Sequence, residues 1–296
     1  MERKTTADFD PEVLILFDAY VHGALDRRGF LDKARKYAVG GVTATMMLDA
    51  LNPKFAEAQK VSPEDKRLTA TRVDFPSPQG YGKAQGYLVR PAGTSAKLPS
   101  ILVVHENRGL NPHIEDIARR LALEGYMVLA PDALFPAGGY PGDEDSARKL
   151  FQTLEQPKSR EDFVAAANWL RTRPDSDGKL GAVGFCYGGA IVNMLATRVP
   201  ELLAGVPFYG GPAPAEDVGK IKAALLLQFA ENDERVNSGW TTYEPALKAA
   251  GVQYEAHIYP GTQHGFNNDT TPRFDEKAAA LAWQRTLGFF AKHVKS

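Results

Sequence analysis

Gly184-Phe185-Cys186-Tyr187-Gly188-Gly189 follows an apolar run at residues 180–185 and precedes helix-period apolar positions over residues 190–198. A strand, a tight turn and a helix in that order hold the central side chain of the turn at the carboxyl edge of a sheet, the pattern of a nucleophile elbow with Cys in the nucleophile's place. The glycines have a steric reason, because side chains two positions either side of the cysteine would collide in so sharp a turn. The N-terminus of the following helix carries partial positive charge, which favours a thiolate. It also aims the backbone N–H of Tyr187 at an oxyanion developing near the sulfur. A lone cysteine is ordinarily a small buried hydrophobe, and this local setting overturns that reading. As the single cysteine of the chain, Cys186 excludes an internal disulfide and a multi-cysteine metal site.

Outward from the elbow, strands and helices alternate. Residues 85–90 read as an edge strand, and residues 101–106 and 126–130 as buried strands. Helices are expected at 114–123, ending at Gly125, and at 163–170, after a Gly/Pro-rich loop. Strands follow at 204–209 and 225–230, a helix at 240–250, a short last strand at 257–259 and a closing helix at 275–292. Parallel strands need crossover connections, so this alternation implies a mostly parallel, doubly wound sheet with helices on both faces: an α/β-hydrolase architecture. Ligands in such sheets bind at the carboxyl ends of the strands.

There the fold fixes the chain order as nucleophile, acid, histidine. His22 and His293 fall in terminal helices, His113 at a helix start, and His105 and His257 within strands. His264 alone lies in a loop after a late strand, where the base belongs. The strand at 225–230 runs into Glu231-Asn232-Asp233-Glu234, and Asp233 is the expected acid, with Glu231 the alternative. Such an acid holds the imidazole tautomer and stabilises its charged form. Another strand end carries His105-Glu106-Asn107-Arg108-Gly109, where the backbone N–H of Asn107 is the candidate second oxyanion donor. Glu106 is unexpected beside a thiolate, since like charges raise one another's pKa. It either points away or restrains the thiol.

Residues 1–62 read as a helical N-terminal extension and residues 63–296 as the catalytic domain. The apolar stretch 37–48 is too short to span a membrane, which takes ~20 residues. Arg27-Arg28-Gly29-Phe30-Leu31 resembles a twin-arginine export motif, and Ala56-Glu57-Ala58 a cleavage site. Against export, Val13, Leu14, Leu16, Phe17, Tyr20 and Val21 form a helix-period pattern ahead of the arginines, and Asp26 is a plausible N-cap for a second helix. A retained extension and a cytoplasmic enzyme are expected, with periplasmic export the alternative. With 35 basic and 36 acidic residues and a formal charge of −1, the chain offers no electrostatic support for nucleic acid. A small, weakly charged molecule suits it better.

Several motifs together resemble the dienelactone hydrolase family over residues 71–294: His105-Glu106 with Gly109-Leu110, Gly125-Tyr126 leading into Ala130-Pro131-Asp132, the cysteine elbow, Phe208-Tyr209-Gly210 and His264-Gly265-Phe266. With its helical lead, the whole chain resembles a bacterial subgroup of hydrolases. The resemblance implies Cys186 as nucleophile, His264 as base and Asp233 as its orienter. It also implies a role for Glu106 as the glutamate that interacts with the resting thiol and shifts when substrate binds. No metal or organic cofactor is implied, and the expected partner is a small ester or lactone. One departure matters. The family's lactone-cleaving enzyme grips a substrate carboxylate with arginines, one of them four residues after the histidine, where this chain has Asn268. The loop 131–142 contains no arginine either. Arg108 and Arg273 are candidate substitutes, and Phe135, Tyr140, Tyr209 and Trp240 are candidates for an apolar pocket. A non-catalytic binding protein on the same scaffold is the alternative function. Thiol redox sensing has less support, because no resolving cysteine exists.

Overall fold

The computed structural model describes residues 4–295. Helix α1 (Pro11–Val21) starts where the Asp10 side chain accepts from Glu12 N–H, and it buries Val13, Leu14, Phe17 and Tyr20. Helix α2 (Arg27–Ala34) is capped by Asp26, which accepts from Gly29 N–H as the sequence suggested. Arg27 and Arg28 are thus the first turn of an ordered helix. Helix α3 (Ala44–Leu51) begins at a Thr43 cap, and α4 (Phe55–Ala58) is a single turn. These elements share an apolar cluster of their own in which Phe30, Leu48 and Leu51 are fully buried.

The α/β part follows as β1 (Leu68–Ser77), β2 (Gly82–Pro91), β3 (Leu98–Val104), α5 (Pro112–Leu123), β4 (Met127–Pro131), α6 (Glu144–Gln152), α7 (Gln156–Arg171) and β5 (Ser176–Phe185). The chain continues through α8 (Tyr187–Arg198), β6 (Leu202–Phe208), β7 (Ala224–Asn232), α9 (Glu234–Ala249), β8 (Tyr254–Gln263) and α10 (Glu276–Phe290). The strands form one sheet in the order β1-β2-β4-β3-β5-β6-β7-β8. Strands β4 to β8 along that order are parallel, and β1 and β2 are antiparallel additions at one end.

The expectation that residues 85–90 form the edge is therefore corrected, because β1 covers β2 in register from Leu68↔Pro91 to Ser77↔Gly82. β1 escaped notice because most of its side chains are exposed or half-exposed, so no apolar run marks it. Helix α6 falls in the stretch taken for loop. One apolar cluster joins the sheet to α7, α8 and α9, and a second joins its opposite face to α5 and α10. This is the doubly wound arrangement expected of βα alternation.

The extension is tied to this sheet by polar contacts along its length. The Val21 carbonyl accepts from Asn107 Nδ2 at 3.0 Å and from an Arg108 NH group at 3.2 Å. Arg148 donates to the carbonyls of Tyr20 and Leu25, and Lys54 N–H donates to Thr270 O at 2.7 Å. Further along, Val61 N–H donates to Asp116, and Arg119 Nε donates to Val61 O. Such bonds satisfy backbone groups that would otherwise be stranded between two packed surfaces. Among the described residues no helix is long and apolar enough to cross a membrane.

Candidate active site

Cys186 sits between β5 and α8 with φ 56° and ψ −113°. Tyr209, at φ 36°, is the other non-glycine residue with positive φ among those described. A side chain in this region is strained, and the surroundings must impose the conformation. The imposing contacts are visible. A Cβ on Gly184 would lie 2.2 Å from Gly188 O, one on Gly188 would lie 2.2 Å from Val104 O, and one on Gly189 would lie 2.6 Å from Phe208 O. The Cys186 N–H donates to Phe208 O at 3.0 Å. Three backbone segments thus clamp the turn, and only glycine fits between them.

At the end of β7, Asp233 occupies the N-cap position of α9 yet makes no side-chain cap. Its carboxylate is turned instead to His264 in the loop after β8, where Nδ1 and Oδ2 are 2.5 Å apart. The Nδ1–H is thereby committed to Asp233, and Nε2 of His264 is buried without a hydrogen-bond partner. Glu231, the alternative acid, is exposed and accepts from Gly261 N–H at 2.7 Å, bracing the turn in β8.

The residue that sequence reasoning missed is His22. It caps the C-terminus of α1, and its Nε2 lies 3.4 Å from Cys186 Sγ. Its ring stands edge-on to that of His264, with centroids 4.7 Å apart. On the far side, His22 Nδ1 is 2.8 Å from the Asp18 carbonyl and 3.2 Å from the Asp18 carboxylate. The available signal was the spacing of Asp18 and His22, four apart on one helix, which places both on one face. An Arg235 NH group lies 3.0 Å from His22 Nε2 and 3.3 Å from His264 Nδ1. Cys186 Sγ and one nitrogen from each of these histidines lie within 4.8 Å of one another.

Burial alone would push the thiol up, but the charges of His264 and His22, with the His22 hydrogen bond, bring it down from 9.0 to about 5. Burial pulls the His264 imidazole down, and the opposing pull of the Cys186 and Asp233 charges raises it to about 10. His22 is raised too: burial opposes this, and the Cys186 charge and Asp18 outweigh burial. A thiolate facing protonated imidazole is the state these environments favour.

The Glu106 carboxylate accepts from Asn268 Nδ2 at 3.2 Å. His22 is hydrogen-bonded to the thiol, with its Nε2 3.4 Å from Sγ. Asn268, where an arginine was expected, is fixed by Thr270, whose N–H and hydroxyl both donate to its Oδ1. Arg108 is buried, paired with Glu144 at 3.3 Å and bonded to Val21 O and Asn107. Its guanidinium holds the extension in place, which corrects its reading as a substrate contact. Trp240 packs on Phe229, Tyr243 and Tyr254, and so belongs to the core. Arg273 pairs with Asp18 at 3.5 Å and lies over the Phe17 ring.

A cleft of about 520 Å³ opens beside Cys186, lined by His22, Asn107, Tyr187, Tyr209, Arg148 and Arg235 among others. Its size suits a small molecule. Tyr209 is the one candidate aromatic that lines it, with its ring 4.9 Å from that of His264. Tyr187 N–H opens α8, where helical N–H groups lack intrahelical partners. Arg235 places an exposed guanidinium at this cleft, whereas Arg148 is buried and committed to the carbonyls of Tyr20 and Leu25. A larger cleft, of about 1030 Å³, lies between residues 57–60 and α10 and contains neither Cys186 nor His264.

A doubly wound sheet with a cysteine at a strained turn after β5, and with Asp233 and His264 in contact beyond β7 and β8, defines an α/β-hydrolase fold. The sequence signature of the dienelactone hydrolase family matches residues 84–294, and the chain belongs to that family. A second signature, described as YqhI-like, matches residues 1–40. A Salmonella typhi protein with the provisional name carboxymethylenebutenolidase is 33% identical over 244 residues, covering 77% of this chain and 89% of its own. Among solved structures, a protein from Klebsiella pneumoniae, provisionally named a dienelactone hydrolase, is similar at 30% identity and a TM-score of 0.67. That match covers 76% of this chain and all of the other. A dienelactone hydrolase-like promiscuous phosphotriesterase from metagenomic libraries aligns at 26% identity and a TM-score of 0.65, covering 77% and 99%. The chain is accordingly a hydrolase of the ester- and lactone-cleaving kind.

Proposed function

We propose that the protein cleaves a small ester or lactone through a covalent acyl-cysteine, with Cys186 as nucleophile, His264 as proton carrier and Asp233 as its orienter. The observation that carries this reading is the 2.5 Å contact of Asp233 with His264 Nδ1 beside a cysteine at a strained elbow. The carboxylate holds the tautomer whose Nε2 is left for the reaction. Sγ attacks the carbonyl carbon, and the oxyanion is received by the N–H groups of Tyr187 and Asn107. His264 passes its proton to the leaving oxygen, then takes one from the water that releases the acyl group. Arg235, exposed at the cleft mouth, favours substrates that carry an anionic group. Glu106, fixed by Asn268, borders the site from the strand end next to the elbow.

The extension belongs to the working enzyme, and a cytoplasmic location with residues 1–62 retained agrees with this. Cleavage after Ala58 would remove Asp18 and His22 from the site. Comparison of wild type with Cys186→Ala on a panel of short p-nitrophenyl esters and lactones tests the proposal. Turnover by the wild type and its loss in the variant is expected; full activity in Cys186→Ala overturns it.

A further inference from the structure

We propose that His22 and Asp18 form a second histidine–carboxylate dyad on Cys186, supplied by the N-terminal extension, so that two imidazoles share one nucleophile. The inference rests on the reading of Cys186 as nucleophile and deepens it. His22 Nδ1 is turned to Asp18, 2.8 Å from its carbonyl oxygen and 3.2 Å from its carboxylate, as His264 Nδ1 is turned to the Asp233 carboxylate, and His22 Nε2 is left facing the sulfur. His22 Nε2, at 3.4 Å, is within hydrogen-bond reach of the sulfur.

The placement of His22 is over-determined. The carbonyl just before it, on Val21, is held by Asn107 and Arg108, the residues that follow Glu106 at the neighbouring strand end. The residue just after it, Gly23, turns with φ +83° against α6, where a Cβ would lie 2.7 Å from Gln152 Nε2. Asp18 is anchored in turn by Arg273. Burial opposes ionisation of Asp18, but His22, His264 and Arg273 outweigh it and hold the carboxyl well below the usual range.

The charges around His22 are Asp18 on its own helix, Cys186 at the elbow, His264 and Arg273 from the loop after β8, Arg235 from α9 and Arg148 from α6, with Asp233 behind His264. Arg235 competes for His22 Nε2, whereas Asp18 and the thiolate favour its protonation.

The role of this second dyad is specific. In acyl transfer the S–C bond forms, the bond from carbon to the leaving oxygen breaks, and His264 gives that oxygen its proton. In hydrolysis His264 takes a proton from water as the new C–O bond forms, the C–S bond breaks, and the thiolate departs. His22 donates its Nε2–H to that thiolate at both ends of the cycle and holds it charged in the resting enzyme. It transfers no proton to substrate.

The test reads the thiol directly and needs no substrate. The rate of iodoacetamide alkylation is followed against pH in wild type, His22→Gln, Asp18→Asn and, as control, Arg28→Ala on the outer face of α2, where the side chain is 90% exposed. Cys186 is the single cysteine, so every label reports on it. His22→Gln is expected to move the acid midpoint up by about one pH unit, slowing alkylation about tenfold below it. Asp18→Asn should move it part of the way, and Arg28→Ala should overlay wild type. A His22→Gln profile that superimposes on wild type overturns the proposal. Should His22→Gln unfold by circular dichroism, Asp18→Asn decides, and its superposition on wild type overturns the proposal equally. Absence of ester turnover with shifted alkylation profiles would instead count against the hydrolytic reading alone.

Discussion

Asp233 and His264, 31 residues apart in the chain, meet at 2.5 Å between Oδ2 and Nδ1, and this contact leaves His264 Nε2 as the nitrogen free for chemistry. Asp233→Asn keeps the shape but presents an NH₂ group to Nδ1, favouring the wrong tautomer. The expected result is a kcat lower by on the order of 10³–10⁴, with KM changed little. Steady-state kinetics on a p-nitrophenyl ester measures it, and a near-normal kcat would remove Asp233 from the mechanism.

The pH dependence follows from the same pair. Below about 5 the Cys186 thiol takes up its proton and the nucleophile is lost. Above about 10 His264 loses the proton that the leaving oxygen needs. Activity should therefore peak between these limits, falling as pH drops through the lower and as it rises through the upper. An acid limb near the ordinary thiol range, around 8.5, would mean that the imidazoles do not stabilise the thiolate.

Gly188→Ala tests the elbow as a steric device. The new Cβ would stand 2.2 Å from Val104 O and 2.7 Å from His105 O, and both are backbone atoms. The turn cannot yield without moving β3 or α8. A loss of ~3 kcal/mol in urea unfolding is expected, with activity falling by more than the unfolded fraction explains. Wild-type stability in this variant would contradict the clamp.

Arg108 links the extension to α6 through Val21 O and Glu144. Arg108→Met leaves the half-buried Glu144 without its cation, and burial already pushes that carboxyl up against the pull of Arg108. Breaking such a pair costs roughly 3 kcal/mol. The melting temperature should drop, and Glu144→Gln in the same chain should recover part of the loss. Equal melting temperatures for wild type and Arg108→Met would show that the pair does not hold the extension.

What the sequence made legible was local. The elbow, Asp233 and His264 each sit directly after a strand, and strand ends are marked by glycines, prolines and apolar runs in the adjoining residues. The Asp26 cap was readable for the same reason. His22 was not, because its partner Cys186 is 164 residues away and the contact exists only once the extension has docked. Glu106 and Asn268, 162 residues apart, are another such pair, and no local pattern announces that they bond to each other. β1 was missed because pairing with β2, and not an apolar run, makes it a strand. Trp240 looked like a pocket residue because aromatic side chains on neighbouring loops and in the core carry the same sequence signal.

The most direct measurement of the central claim is the mass of the acyl-enzyme. Wild-type protein mixed with p-nitrophenyl acetate and quenched during the first turnover should show a burst of p-nitrophenolate approaching one per chain. Peptide mapping should find the acetyl group on Cys186. A burst with the label on another residue, or turnover undiminished in Cys186→Ala, would contradict the account.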